Sequence, residues 1–141
     1  MMLSPEGCAT MSDINGQLLF YTDGSTVWNR DHDIMENGLD IGGENTAAQS
    51  ALIVPFSDDG TMFWVFTTEE VYGDHEYQLK YSIVDMKGDT ASGRVMTKNN
   101  PIATQSSERI TASGFQGAPW VVGHEFGNNV IRAYQISADG I

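Results

Sequence analysis

Apolar residues along this chain fall in short runs of strand length, separated by glycine and acidic turns. Gln78-Leu79-Lys80-Tyr81-Ser82-Ile83 alternates polar and apolar, the period of a strand with one buried face. Met62-Phe63-Trp64-Val65-Phe66 is apolar at every position. A short run of that kind predicts an inner strand covered on both sides. Leu18-Leu19-Phe20-Tyr21 and Trp120-Val121-Val122 read the same way. The pattern places Phe20, Trp64, Phe66, Trp120 and Val122 in the core. No window supports a helix: the nearest, Asp33 to Glu36, stops at Asn37-Gly38. Val and Ile total 19 against 6 Leu, with 11 Thr and 14 aromatics, a mix that favours pleated, half-buried strands.

The runs recur in order. Asn15-Gly16, Asp58-Asp59-Gly60 and Gln116-Gly117 are short glycine turns between strand-like runs. Before them stand Ala9 to Asp13, Ser50 to Pro55 and Arg109 to Gly114. After them come Gln17 to Thr22, Thr61 to Thr68 and Ala118 to His124. A third run comes next in each: Ser25 to Asn29, Gln78 to Val84 and Asn129 to Ile136. A fourth closes the first two units, Asp33 to Glu36 and Arg94 to Lys98, while the third reaches Ile141 without one. The polar stretches Glu69 to Tyr77 and Lys98 to Glu108 read as loops. A four-stranded unit every ~40–50 residues is the period of a β-propeller blade. The expected fold is therefore all-β: a partial β-propeller of about three antiparallel meander blades, at 1–44, 45–104 and 105–141 of one domain. A β-sandwich is the alternative.

One stretch carries a resemblance. Glu6-Gly7-Cys8-Ala9-Thr10-Met11-Ser12-Asp13, with Asn15-Gly16, Leu18 to Gly24 and Thr26-Val27-Trp28-Asn29-Arg30, resembles the propeller regions of large Bacteroidetes secreted proteins. Those proteins often end in gliding-motility-associated or type IX secretion sorting domains. The likeness continues through Gln49 to Pro55, Tyr81 to Met86 and Trp120 to Glu125, nearly the whole chain. It implies a WD40-like propeller in a multidomain protein that is extracellular or on the cell surface. It brings no catalytic residues with it. The chain itself shows no sorting domain, and Met1 to Gly7 has neither the basic nor the apolar region of a secretion signal.

Charge narrows the partners. The chain carries 19 acidic and 7 basic residues, a net charge of -12. Such a surface repels phosphate backbones and anionic lipid, so neither nucleic acid nor membrane insertion is expected. No apolar run approaches the ~20 residues of a membrane span. The lone Cys8 excludes an internal disulfide and a cysteine-based zinc cluster.

The repeat suggests where a site would lie. Second runs end at Asp23, at Thr68-Glu69-Glu70 and at His124-Glu125, with His75 just beyond the middle one. If the units stack, Asp23, Glu69, Glu70, His75, His124 and Glu125 converge on one rim. Oxygen-rich convergence suits Ca²⁺, with Asp23, Glu69 and Glu125 as the candidate ligands. Otherwise these are solvated turn residues, and no cofactor is required. Asp31-His32-Asp33 reads as a hairpin turn, since a strand would point His32 away from its neighbours. There is no G-x-S-x-G and no phosphate-cradling glycine loop.

The expected function is a non-catalytic binding or scaffolding module with a protein or glycan ligand. The alternative is a hydrolase or lyase working at the channel rim with carboxylates and His124. Open blade ends predict a homo-oligomer, because exposed apolar faces and unpaired strand edges invite a second copy.

Overall fold

A computed structural model describes residues 2–55, 57, 59–72, 77–87, 92–113, 118–137 and 140–141. The all-β expectation holds. Among the described residues there are eleven strands: β1 Ala9–Ser12, β2 Leu18–Thr22, β3 Thr26–Asn29, β4 Ile34–Leu39, β5 Ala51–Pro55, β6 Met62–Thr68, β7 Leu79–Asp85, β8 Arg94–Ala103, β9 Ser106–Ser113, β10 Trp120–Glu125 and β11 Ile131–Gln135. Among the described residues there is no helix, hence none long and apolar enough to cross a membrane.

Three antiparallel meanders succeed one another: β1–β4, β5–β8 and β9–β11. The first two join through one parallel bridge, Glu36 to Arg94, into an eight-stranded sheet. At the opposite edges β1 meets β5, so the eight strands wrap into a nearly closed barrel. The third meander is a separate three-stranded sheet packed on β5 and β6.

Strand β6 explains the arrangement. Its side chains alternate between two cores. Phe63 and Val65 join Phe20, Val27, Met35 and Val84 in the first core, between the first two meanders. Trp64 and Phe66 join Val54, Leu79, Ile110, Val121 and Ile136 in the second, between the second and third. The run without a polar face is thus an inner strand with apolar neighbours on both sides. Each fully buried large side chain of this kind contributes about 1.5–3 kcal/mol.

Backbones approach closely where the first two meanders are tied. Gly24 has φ 92°, and a Cβ there would stand 2.7 Å from the Ser50 Cβ. A Cβ on Gly43 would stand 2.7 Å from the Gly24 carbonyl oxygen. Gly43 N–H donates to that same oxygen.

Two sequence expectations need correcting. Trp120 and Val122 are not core residues: Trp120 is 42% exposed and Val122 half-buried, because they lie on the side of the third sheet away from the second core. Lys98 to Glu108 is not a loop. Strand β8 continues to Ala103 against β7, and β9 begins at Ser106. Ile102 and Ala103 pack against the second core. Pro101 is tolerated there because, among the described residues, the ladder pairing of β8 with β4 is made at Arg94 alone; further along, side chains make the links, Asn37 to the Val95 carbonyl and Lys98 to the Leu39 carbonyl.

Asp31-His32-Asp33 forms the β3–β4 turn, with His32 at φ 68°. Asn29 Oδ1 accepts from the Asp31 and Asp33 amides, and the Tyr21 hydroxyl lies 3.1 Å from His32 Nδ1.

Candidate functional site

The carboxylates at the ends of the second strands close their own hairpins. Asp23 is buried, and its Oδ1 accepts from the Ser25 and Thr26 amides, each at 2.9 Å. Glu69 accepts from the Gln78 amide at 2.9 Å and pairs with Lys80. Glu125 is buried, accepts from Asn128 Nδ2 at 2.7 Å and pairs with Arg132. In all three, an acidic side chain bridges the connection between second and third strands. The Asn128 and Arg132 hydrogen bonds, opposed by burial, hold the Glu125 carboxyl below the usual glutamate range.

Among the described residues, no group of three or more His, Cys, Asp or Glu side chains could hold an ion. Glu70 lies apart from Asp23, Glu69 and Glu125: its carboxylate accepts from the Thr46 hydroxyl at 2.9 Å, and its amide donates to Glu44 at 2.7 Å. His75 lies outside the described residues.

Glu108 on β9 does what the sequence did not announce. One of its oxygens accepts from the Ala48 amide at 2.6 Å, the other from the Val71 amide at 3.0 Å. It therefore ties the third sheet to the 40–50 connection and to the segment after β6. Gln49 Oε1 reinforces this by accepting from the Ile110 amide at 3.2 Å. The bonds reach across 60, 61 and, for Val71, 37 positions of chain, so no local motif marks them.

Beside this tie lies an open groove of about 390 Å³. Val71 and Tyr72 line one side, and His124, Glu125 and Phe126 the other, with Glu108 and Arg109 between. The segment after β6 and the end of β10 thus share one groove; of the expected rim residues only His124 and Glu125 line it, and Asp23, Glu69 and Glu70 do not. Tyr72 is 78% exposed and Phe126 44% exposed. Phe126 is braced edge-on against Tyr77, ring centres 5.2 Å apart.

Most of the basic side chains are engaged. Lys80, Lys87, Arg94 and Arg132 pair with Glu69, Asp59, Asp85 and Glu125. Among the described residues Arg109 has no ion pair. The groove therefore offers a free guanidinium, an imidazole and two exposed aromatic rings. No family model, no curated protein and no solved structure matches the chain.

Proposed function

We propose that the chain is a non-catalytic binding or scaffolding module built as part of a β-propeller. Its ligand is a protein or glycan, taken in the groove between the segment after β6 and the end of β10. The observation that carries this reading is a division of labour between hairpin-closing carboxylates and groove side chains. Asp23, Glu69 and Glu125 are engaged in closing hairpins, while Tyr72, Phe126 and Arg109 line the groove, both rings exposed. Two exposed aromatic rings with one guanidinium suit recognition, because rings lose little freedom on binding and Arg reads carboxylates or stacked rings.

The propeller reading is supported by the middle meander, whose two faces both lie in apolar cores against neighbouring sheets. The sequence resemblance adds the location: extracellular or on a cell surface, within a larger protein. Fold-level likeness by itself assigns no ligand.

The test is a defined panel of polysaccharides and acidic or neutral peptides, titrated by calorimetry, with chromogenic esters and glycosides assayed alongside. Binding to a panel member that weakens at least tenfold in Tyr72→Ala or Phe126→Ala supports the module. Turnover of any substrate that is lost in His124→Ala would replace it with the rim enzyme.

A further inference from the structure

A hairpin turn in the first unit holds a reactive pair of residues. An asparagine or aspartate followed by glycine can cyclise, because the glycine amide nitrogen reaches the side-chain carbonyl carbon and closes a five-membered imide. The described residues contain four such pairs: Asn15-Gly16, Asp23-Gly24, Asn37-Gly38 and Asp59-Gly60. In sequence the two asparagine pairs are equivalent. In the fold they are not.

Three of the four side chains are held. Asn37 stands in β4 at φ 57°, and its Nδ2 donates to the Val95 carbonyl at 2.9 Å. Gly38 beside it is buried, and a Cβ there would stand 2.8 Å from the Met35 carbonyl oxygen and 2.9 Å from that of Val27. The Asn37–Gly38 peptide therefore has no room to turn toward the side chain while β4 stays packed. Asp23 is buried, its Oδ1 accepts from the Ser25 and Thr26 amides, and the Gly24 amide donates to Thr22 Oγ1 at 3.0 Å. Asp59 accepts from the Thr61 hydroxyl at 2.6 Å and pairs with Lys87 at 3.0 Å. Bonds from Thr61, Ser57 and Lys87 hold its carboxyl well below the usual aspartate range, and an ionised carboxylate is a poor electrophile.

Asn15 is different. It is exposed in the turn between β1 and β2, and among the described residues its side-chain amide makes no hydrogen bond. Gly16 is exposed at φ 79°, with nothing within 4 Å of the place a Cβ would take. One bond restrains the attacking nitrogen, from Gly16 N–H to the Asp13 carbonyl at 3.0 Å. A single bond in an exposed turn opens far more often than a packed strand does.

We propose that Asn15 is a site of spontaneous deamidation in the folded chain, with water as the co-reactant, and that the fold protects Asn37 from the same reaction. The Gly16 nitrogen gives up its proton and bonds to Asn15 Cγ. The Cγ–Nδ2 bond breaks, and ammonia leaves with that proton. Water then opens the imide at either carbonyl, leaving aspartate or, with the backbone rerouted through Cγ, isoaspartate. Both products add a negative charge. Isoaspartate also lengthens the backbone where Asp13 Oδ1 accepts the Asn15 and Gln17 amides at 2.9 and 2.8 Å, and so loosens the turn. The inference is independent of the ligand groove and of how the units stack.

Peptide mapping by mass spectrometry tests it on the whole chain, aged at mildly alkaline pH with and without urea. In the native chain Asn15 should convert at least about tenfold faster than Asn37, which needs β4 to open first. In urea that protection is gone, and the two pairs should convert at similar rates. Equal rates in the native chain overturn the proposal. So does an Asn15 that converts in urea and not in the native chain, because the turn would then protect it.

Discussion

Trp64 and Trp120 stand at the same step of successive units, five residues before Glu69 and Glu125, yet Trp64 is 2% exposed and Trp120 42%. The difference lies in whether another sheet covers the ring. The third sheet closes over Trp64, which stacks near Phe66 and tilts against Tyr81. Truncation should therefore separate the two. Trp64→Ala is expected to cost about 3–5 kcal/mol in urea unfolding. Trp120→Ala should change stability by about 0.5 kcal/mol or less. Equal losses would mean that both rings are covered.

Glu108 gives a second test. Its carboxylate accepts two amides from separate segments, Ala48 and Val71. Bonds to a charged group contribute about 1.5–3 kcal/mol each, so Glu108→Ala should lower stability by at least that amount. Glu108→Gln keeps one carbonyl acceptor and should cost less. Urea midpoints of the two variants that do not differ would show that the tie is not made in solution.

Glu125 sets an acid sensitivity. Its folded-state pKa lies below the unfolded one because Asn128 and Arg132 bond the charged form. The stabilisation is therefore fully present above the unfolded value of ~4.3 and is lost as pH falls through the folded-state value. Asp59 is shifted the same way by bonds from Thr61, Ser57 and Lys87. Melting temperature should fall steeply below that pH in the parent chain and more gently in Glu125→Gln. Parallel profiles would show that Glu125 adds nothing to the acid sensitivity.

Ser82 carries the opposite sign. Its hydroxyl is buried with no hydrogen-bond partner, on the strand facing Val65. An unsatisfied buried polar group costs about 1–3 kcal/mol, so Ser82→Ala should raise the urea midpoint. A fall in the midpoint would show that the hydroxyl has a partner.

Gly24 and Gly43 are fixed by close approach. Gly24→Ala places a methyl against Ser50 at a backbone angle that alanine rarely adopts, and Gly43→Ala drives one into the Gly24 carbonyl. Both should lower the melting temperature, whereas Gly60→Ala meets no neighbouring atom and is strained only by its φ of 66°. The smallest loss is therefore expected at Gly60.

Much of this fold is legible in the chain. The β-branched runs and glycine turns announce strands, and Phe63 to Phe66 announces a strand buried on both faces. What escapes is whatever depends on distant segments. Trp120 looks like Trp64 because a strand's pattern does not say whether another sheet will cover it. Lys98 to Glu108 is polar and holds a proline, and only the pairing of β8 with β7 shows why a strand persists there. Asp23, Glu69 and Glu125 are visible as equivalent positions, but hairpin closure and a shared rim demand the same residue types. In the structure Asp23 bonds the Ser25 and Thr26 amides, Glu69 pairs with Lys80 and Glu125 with Arg132. Glu108 and Arg109 left no local signal, since their setting is made by Ala48 and Val71 from far along the chain.

Above all, the second unit is the middle layer, buried on one face by the first unit and on the other by the third. Amide hydrogen exchange on the native chain reads this directly, because protection tracks burial and cooperative opening. The slowest amides should be those of Phe63, Trp64, Val65 and Phe66, with β1 and β11 exchanging fastest among the strands. Slowest exchange in β9–β11, or fast exchange along β6, would contradict it.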